Sequence, residues 1–140
     1  MAVHVLTVLA YKEGDRVTSA FLAGSVNTNP VVIRRLLLAL QQAKLVETGK
    51  GAGSGSRLSR SPARINMAEI YNAVEDCEPF AKPSRKPNEA CPVGHCIREE
   101  LEKIFCSAQR ALEQDLAKTT LAGLIEAVKA SGTCGRKTCR

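Results

Sequence analysis

The stretch Thr18 to Leu45, TSAFLAGSVNTNPVVIRRLLLALQQAKL, constrains this 140-residue chain more than any other. It reads as two helices joined by a tight turn. Thr18 and Ser19 are good N-caps for a short helix carrying Phe21, Leu22 and Ala23. Gly24 to Thr28 then interrupts it: Gly24 can take positive φ, and Val26 is the apolar residue that pins the turn to a core. Asn29-Pro30 opens a second helix, with Asn as N-cap and Pro at the first helical position, where its missing N–H costs nothing. Val32, Leu36, Leu37 and Leu40 supply a helical apolar face, and Arg34 and Arg35 fall largely off it. A short helix, a turn and a basic helix make a helix-turn-helix, whose second helix is suited to the major groove. A plain helical hairpin with solvated arginines fits the stretch equally well when it is taken alone.

The next residues separate those readings. Leu45 to Thr48 is a short strand, GKGAGSGSRLSRS follows, and Arg57 to Ser59 reads as a return strand. A β-hairpin directly after a basic helix is a wing. A glycine-serine linker is the alternative, but strand signals flank the glycines and arginines interleave them. Charge agrees. Residues 1–64 carry nine Lys/Arg against three acids, a net of +6, whereas residues 65–140 carry eleven of each. A basic half joined to a neutral half implies a nucleic-acid-binding face with a separate module behind it. The expected DNA contacts are Thr18, Ser19, Thr28, Asn29, Arg34 and Arg35 on the helix-turn-helix, with Lys50, Ser54, Arg57 and Arg60 on the wing.

Taken in order, Val3, Leu6, Leu9 and Ala10 predict a first helix over 2–12 that completes a three-helix core. Ile65, Met67, Ile70, Tyr71 and Val74 predict another helix after the wing. Four of the six prolines fall in 79–92, which reads as a hinge loop. A long helix is predicted from Val93 to about Leu116, with an apolar stripe of Ile97, Leu101, Ile104, Phe105, Ala108 and Leu112. At roughly 36 Å it exceeds what so small a core needs, so the stripe predicts a homodimer; packing back onto the winged helix is the alternative. Thr119 or Thr120 caps a last helix through Leu121, Leu124, Ile125 and Val128. The expected organisation is a DNA-binding domain at 1–78, the hinge at 79–92, dimerisation helices at 93–130 and a flexible tail at 131–140. The fold class is mainly α: a winged helix-turn-helix of three helices and a two-stranded wing, with a long C-terminal dimerisation helix.

Several function classes are excluded on residue grounds. No carboxylate pair, His-based triad or phosphate loop appears, and GKGAGSG lacks the terminal G-K-[ST] of a nucleotide-binding loop. An enzyme is not expected. The apolar run Val3 to Ala10 is too short to span a bilayer and lacks an export signature, so a cytoplasmic location away from membranes is expected. Six cysteines in such a chain point to metal, redox chemistry or nothing, not to a disulfide framework.

The whole pattern resembles the Rrf-two family of bacterial winged-helix transcription regulators, over residues 2 to about 128. NPVVIRRLLLALQQAKLVET is similar to the family's recognition helix and first wing strand, GKGAGSGSRLSR to its wing, and INMAEIYNAVE to the helix after it. ACPVGHCI looks most like the YwnA-like subgroup. The resemblance implies a homodimer that binds a palindromic operator in double-stranded DNA, with long helices crossing behind the DNA-binding domains. Two departures stand out. Ser56 and Arg57 occupy the place where the wing usually carries an aromatic before its leucine, which predicts weaker wing packing. Cluster-binding members hold iron–sulfur with three closely spaced cysteines, whereas Cys91, Cys96 and Cys106 here are five and ten residues apart in number. If Cys96 and Cys106 share one helix they are about 15 Å and 80° apart, too far for one compact cluster.

Thiol sensing fits that spacing better. Cys91 precedes Pro92 at a helix start, where the helix dipole favours thiolate, and Cys96 is its candidate resolving partner. Cys134 and Cys139 suit a disulfide or a stray metal, while Cys77 and Cys106 read as small apolar residues. The expectation is a sequence-specific repressor switched by thiol oxidation, with no cofactor. The alternatives are an iron–sulfur-sensing regulator of the same family, and a thiol redox or metal-handling protein whose winged helix is a protein adaptor.

Overall fold

A computed structural model describes residues 1–12, 14–49, 51, 53–75, 88 and 91–131. In chain order the elements are α1 (Ala2–Tyr11), α2 (Ser19–Val26), α3 (Pro30–Gln42), β1 (Val46–Thr48), β2 (Ser56–Leu58), a 3-10 turn at Pro62–Arg64, α4 (Met67–Val74), α5 (Pro92–Ala117) and α6 (Leu121–Ala130). The winged helix is formed as expected: α1, α2 and α3 enclose a core and the β1–β2 hairpin stands beside α3.

Local chemistry sets the boundaries. Thr18 caps α2 by accepting the Phe21 N–H, and Asn29 caps α3 by accepting the Val31 N–H at 2.8 Å, with Pro30 behind it. Asn66 and Glu69 form a reciprocal capping box on α4, each side chain accepting the other's backbone N–H. Gly24 does not break α2, contrary to expectation. The helix runs through it, and Asn27 takes the left-handed conformation with φ 58°. Asn tolerates that region better than other non-glycine residues because its short polar side chain bonds locally.

The core is built by Val5, Leu6 and Leu9 of α1, Leu22 and Ala23 of α2, Ile33, Leu37 and Leu40 of α3, then Leu45, Val46, Ile65 and Ile70. The apolar face of α3 is therefore displaced from the expected one. Ile33 is fully buried, Leu36 half-buried, and Val32 is 42% exposed. Phe21 is also exposed, with the Lys12 ammonium 5.2 Å from its ring centre.

The hairpin is antiparallel, with Val46 opposite Leu58, Glu47 opposite Arg57 and Thr48 opposite Ser56. Its base is clamped rather than loosened by the missing aromatic. Val17 and Ser56 exchange both backbone hydrogen bonds at 2.8 Å, and the buried Ser56 hydroxyl lies 3.2 Å from the Thr48 hydroxyl. Gly55 makes this possible. Its φ is +66°, and an added Cβ would sit 2.9–3.0 Å from the Arg16–Val17 backbone. A larger side chain could not pass there.

The C-terminal helices part ways. α5 spans 26 residues and lies along α4. α6, which the division at 93–130 grouped with α5, returns to the N-terminal body. Thr120 is the cap of α6, Leu121 is fully buried in the shared core, and Leu121 N–H donates to Ile65 O at 2.8 Å while Met67 N–H donates to Thr119 O. The expected hinge lies almost wholly outside the described residues, as do Cys77, Cys134, Cys139 and the tail after Ser131.

Candidate nucleic-acid interface

Three elements converge on one face: the N-terminus of α2, the outward side of α3 and the hairpin. Between α3 and the hairpin runs an open cleft of about 540 Å³, lined among others by Thr18, Ser19, Arg34, Leu38, Gln41 and Ser54. Its position follows from the core. Ile33, Leu37 and Leu40 hold α3 by its inner face, so Arg34 and Arg35 must project outward, and both are exposed. Arg34 Nε reaches the Ser19 hydroxyl at 3.5 Å, which ties the start of α2 to α3. Thr18, Ser19, Thr28 and Asn29 all lie at helix starts. The Thr18 and Asn29 oxygens are occupied by caps, but the Thr18 hydroxyl hydrogen and the Asn29 amide N–H groups remain available as donors.

The hairpin residues divide into two groups. Ser54 lines the cleft and its hydroxyl donates to Gly51 O at 2.8 Å. Arg57 pairs with Glu47 directly across the strands at 2.9 Å, with both side chains nearly half exposed. Arg60 pairs with Glu69 of α4 at 2.6 Å, and its Nε is buried with no protein partner. Burial pushes the Glu69 carboxyl up, but the hydrogen bond from Asn66 N–H and the bond and charge of Arg60 outweigh it and hold the carboxyl below its ordinary value. Arg57 is thus in an exposed surface pair that an anion can compete for, whereas Arg60 is fastened to the capping box. Lys50 lies outside the described residues.

Sequence reasoning missed Arg16, Leu38 and Gln41. Arg16 is exposed, and its Nη1 lies 2.8 Å from the place a Cβ on Gly49 would occupy, so its guanidinium crosses the hairpin root beside the cleft. The available signal was its place two residues before the α2 cap. Leu38 and Gln41 sit at i+4 and i+7 from Arg34, the same side of the helix.

The three described cysteines do not form a ligand set. Cys91 is the N-cap residue of α5, Cys96 lies five residues on, and Cys106, expected as an apolar filler, is exposed like the other two. Cys96 and Cys106 share α5, which puts them about 15 Å apart along its axis. Among the described residues no group of three His, Cys, Asp or Glu side chains is placed to hold a metal ion. A compact cluster ligated by Cys91, Cys96 and Cys106 of one chain does not fit this arrangement. Nor is any described helix long and apolar enough to cross a membrane.

Comparison with known proteins follows the same outline. The family profile described as "Rrf2: Iron-dependent Transcriptional regulator" matches residues 1–127. The chain is 38% identical over 121 residues to YwnA of Bacillus subtilis (strain 168), a protein named as an HTH-type transcriptional regulator; the match covers 86% of this chain and 89% of YwnA. A crystal structure of a protein named as DNA-binding is 36% identical with a TM-score of 0.71, covering 89% of this chain and 95% of that one. CymR (YrzC), the global cysteine regulator of B. subtilis, shares the fold at TM-score 0.62 and 23% identity, over 90% of this chain and 91% of its own.

Proposed function

The chain belongs to the Rrf2 family of transcriptional regulators and is a DNA-binding regulator rather than an enzyme, and from that premise we propose that it is a cytoplasmic homodimeric repressor of a palindromic operator. The observation that carries the reading is the cleft between α3 and the hairpin, open on the half of the chain that holds the whole +6 excess. In this reading Arg34 and Arg35 enter the major groove and Asn29 approaches a base edge. Thr18, Ser19 and Thr28 meet phosphates with Arg16. Arg57, helped by Lys50 and Ser54, reaches the flanking minor groove, where a narrow A·T tract concentrates negative potential. Arg60 positions the hairpin through Glu69.

The DNA-binding body is residues 1–78 together with α6, and α5 is the dimerisation helix. Leu101, Phe105 and Ala108 are half-buried on the side of α5 turned to the body. Val93, Ile97, Ile104 and Leu112 are 67%, 41%, 60% and 39% exposed. A row of large apolar side chains left open along one helix is the kind of patch that a second copy covers. A two-fold axis through α5 then presents two recognition helices to one face of the duplex.

The switch proposed here is carried by thiols. In a regular helix, Cα atoms five residues apart are farther apart than the roughly 4.4–6.8 Å a disulfide allows. Joining Cys91 to Cys96 therefore unwinds the first turn of α5. Both thiols lose a proton and an electron to a peroxide or a small disulfide, and the S–S bond forms as the helix start gives way. That turn lies between the DNA-binding body and the dimer seam, so its loss alters the separation of the two recognition helices.

A gel shift with a duplex selected from a random pool, set against unselected duplex at low and high salt, tests the reading. Tight binding to the selected duplex that survives added salt better than unselected binding is expected. Equal affinity for both would make the protein an architectural binder. Adding peroxide before the shift should lower affinity in the parent and leave Cys91→Ser unchanged.

A further inference from the structure

The outward face of α3 carries side chains that the charge pattern does not explain. Ile33, Leu37 and Leu40 point inward and are 0%, 5% and 0% exposed. The opposite stripe is Val31, Arg35, Leu38 and Gln42, at spacings of four, three and four. On it Val31 is 48% and Leu38 60% exposed. Leu38 borders the cleft beside Arg34 and Gln41. These two apolar side chains add little to the fold, because neither is covered.

Their arrangement selects the occupant. A protein-docking patch is contiguous, whereas here a charged Arg35 stands between the two apolar positions and Arg34 lies alongside. The floor of the major groove has the matching pattern: polar base edges interrupted by the C5-methyl groups of thymines. Positive charge beside the strip suits the flanking phosphates.

We infer that Val31 and Leu38 are sequence-reading residues, each packing on the methyl of a different thymine, on opposite sides of a guanine whose O6 and N7 accept hydrogen bonds from the Arg35 guanidinium. This rests on the DNA-binding function described above. At a rise of 1.5 Å per residue, Val31 lies about 6 Å before Arg35 and Leu38 about 4.5 Å after it along the axis. With base pairs about 3.4 Å apart, each thymine falls within roughly two steps of the guanine. The half-site therefore carries a guanine with a thymine on either side, on whichever strand presents the methyl.

The test uses the full-length protein and a duplex it enriches from a random pool, with each thymine in turn replaced by deoxyuridine, which removes only the methyl. One thymine on each side of the guanine should show binding about fourfold weaker, the worth of one buried methyl. Leu38→Ala should abolish that penalty at one thymine and Val31→Ala at the other, while Leu38→Met, which keeps an apolar contact, should retain it. The inference is overturned if no uracil matters, if both alanine variants act on the same thymine, or if the variants lose as much as the parent at every position. A pool that yields no enriched sequence would instead overturn sequence-specific DNA binding itself, a result distinguishable from failure of the two side chains.

Discussion

α3 and α5 are both amphipathic helices with an apolar stripe, yet the chain treats them differently. Thirteen residues of α3 place Ile33, Leu37 and Leu40 in a core shared with α1, α2, the hairpin and α4. Twenty-six residues of α5 contribute no fully buried side chain among those described, and Ile104 in mid-stripe is 60% exposed. The first helix is fixed by its own chain and frees its outer face for a ligand. The second is half-supported and retains an apolar edge. A stripe tells that a helix will be covered; what covers it depends on how much partner surface the same chain has left.

The sharpest way to break this comparison is at Ile104. Ile104→Glu should give a folded monomer by sedimentation, with its thermal transition nearly unchanged, and operator binding weaker by about 10²–10⁴, the avidity lost with the second half-site. A parent chain already monomeric at micromolar concentration would end the proposed role of α5. Ile33→Ala should do the opposite. It leaves a cavity in the body and costs about 2–5 kcal/mol in urea unfolding, whereas Ile104→Ala should cost little once the protein is diluted to monomer. Equal costs at the two sites would show that α5 is as integral to the body as α3.

On the outer face of α3, Arg35→Ala should cost about 1–3 kcal/mol on the selected duplex and less on unselected duplex, with stability untouched. Equal loss on both would make Arg35 a phosphate contact. The smallest effect concerns the fastening of the hairpin to α4. The Glu69 carboxyl is held below its ordinary value of 4.5 in the folded state. Its contribution is therefore full at neutral pH and is lost as pH falls below that value and through the lower folded one. With about a third of each side chain exposed, screening keeps this to less than about 1 kcal/mol. Glu69→Gln should flatten the acid limb of the stability–pH profile by that amount, and an unchanged limb would remove Glu69 from the account.

Much of the fold was legible because it is written in local chemistry. Thr18, Asn29-Pro30 and Thr120 are caps that act within three residues of themselves, and the strand signals flanking the glycine-rich run favour a hairpin over a linker. The errors arose where local rules permit two answers. Gly24 can leave the helix but is not obliged to, and Asn27 could leave it at small cost. Val32 and Ile33 are neighbours of equal hydrophobicity, so a shift of one residue rotates the inferred face by about 100°. The interface was legible in part. Exposure of Arg34 and Arg35 follows from the stripe beside them. The pairing of Arg60 with Glu69, nine residues on, does not, since it depends on how the hairpin folds against α4.

The sequence by itself determined the helix-turn-helix, the wing, the long helix and the placement of charge, since caps, periodicity and ionisable groups act over a few residues and need no distant partner. Only the tertiary structure decided that α6 returns to bury Leu121 between α1 and the 3-10 turn, that Ser56 is clamped to Val17, and that Arg60 is fastened to Glu69. Those outcomes depend on which of several comparable apolar surfaces meet, and that is settled by shape and packing across the whole chain rather than by any one segment.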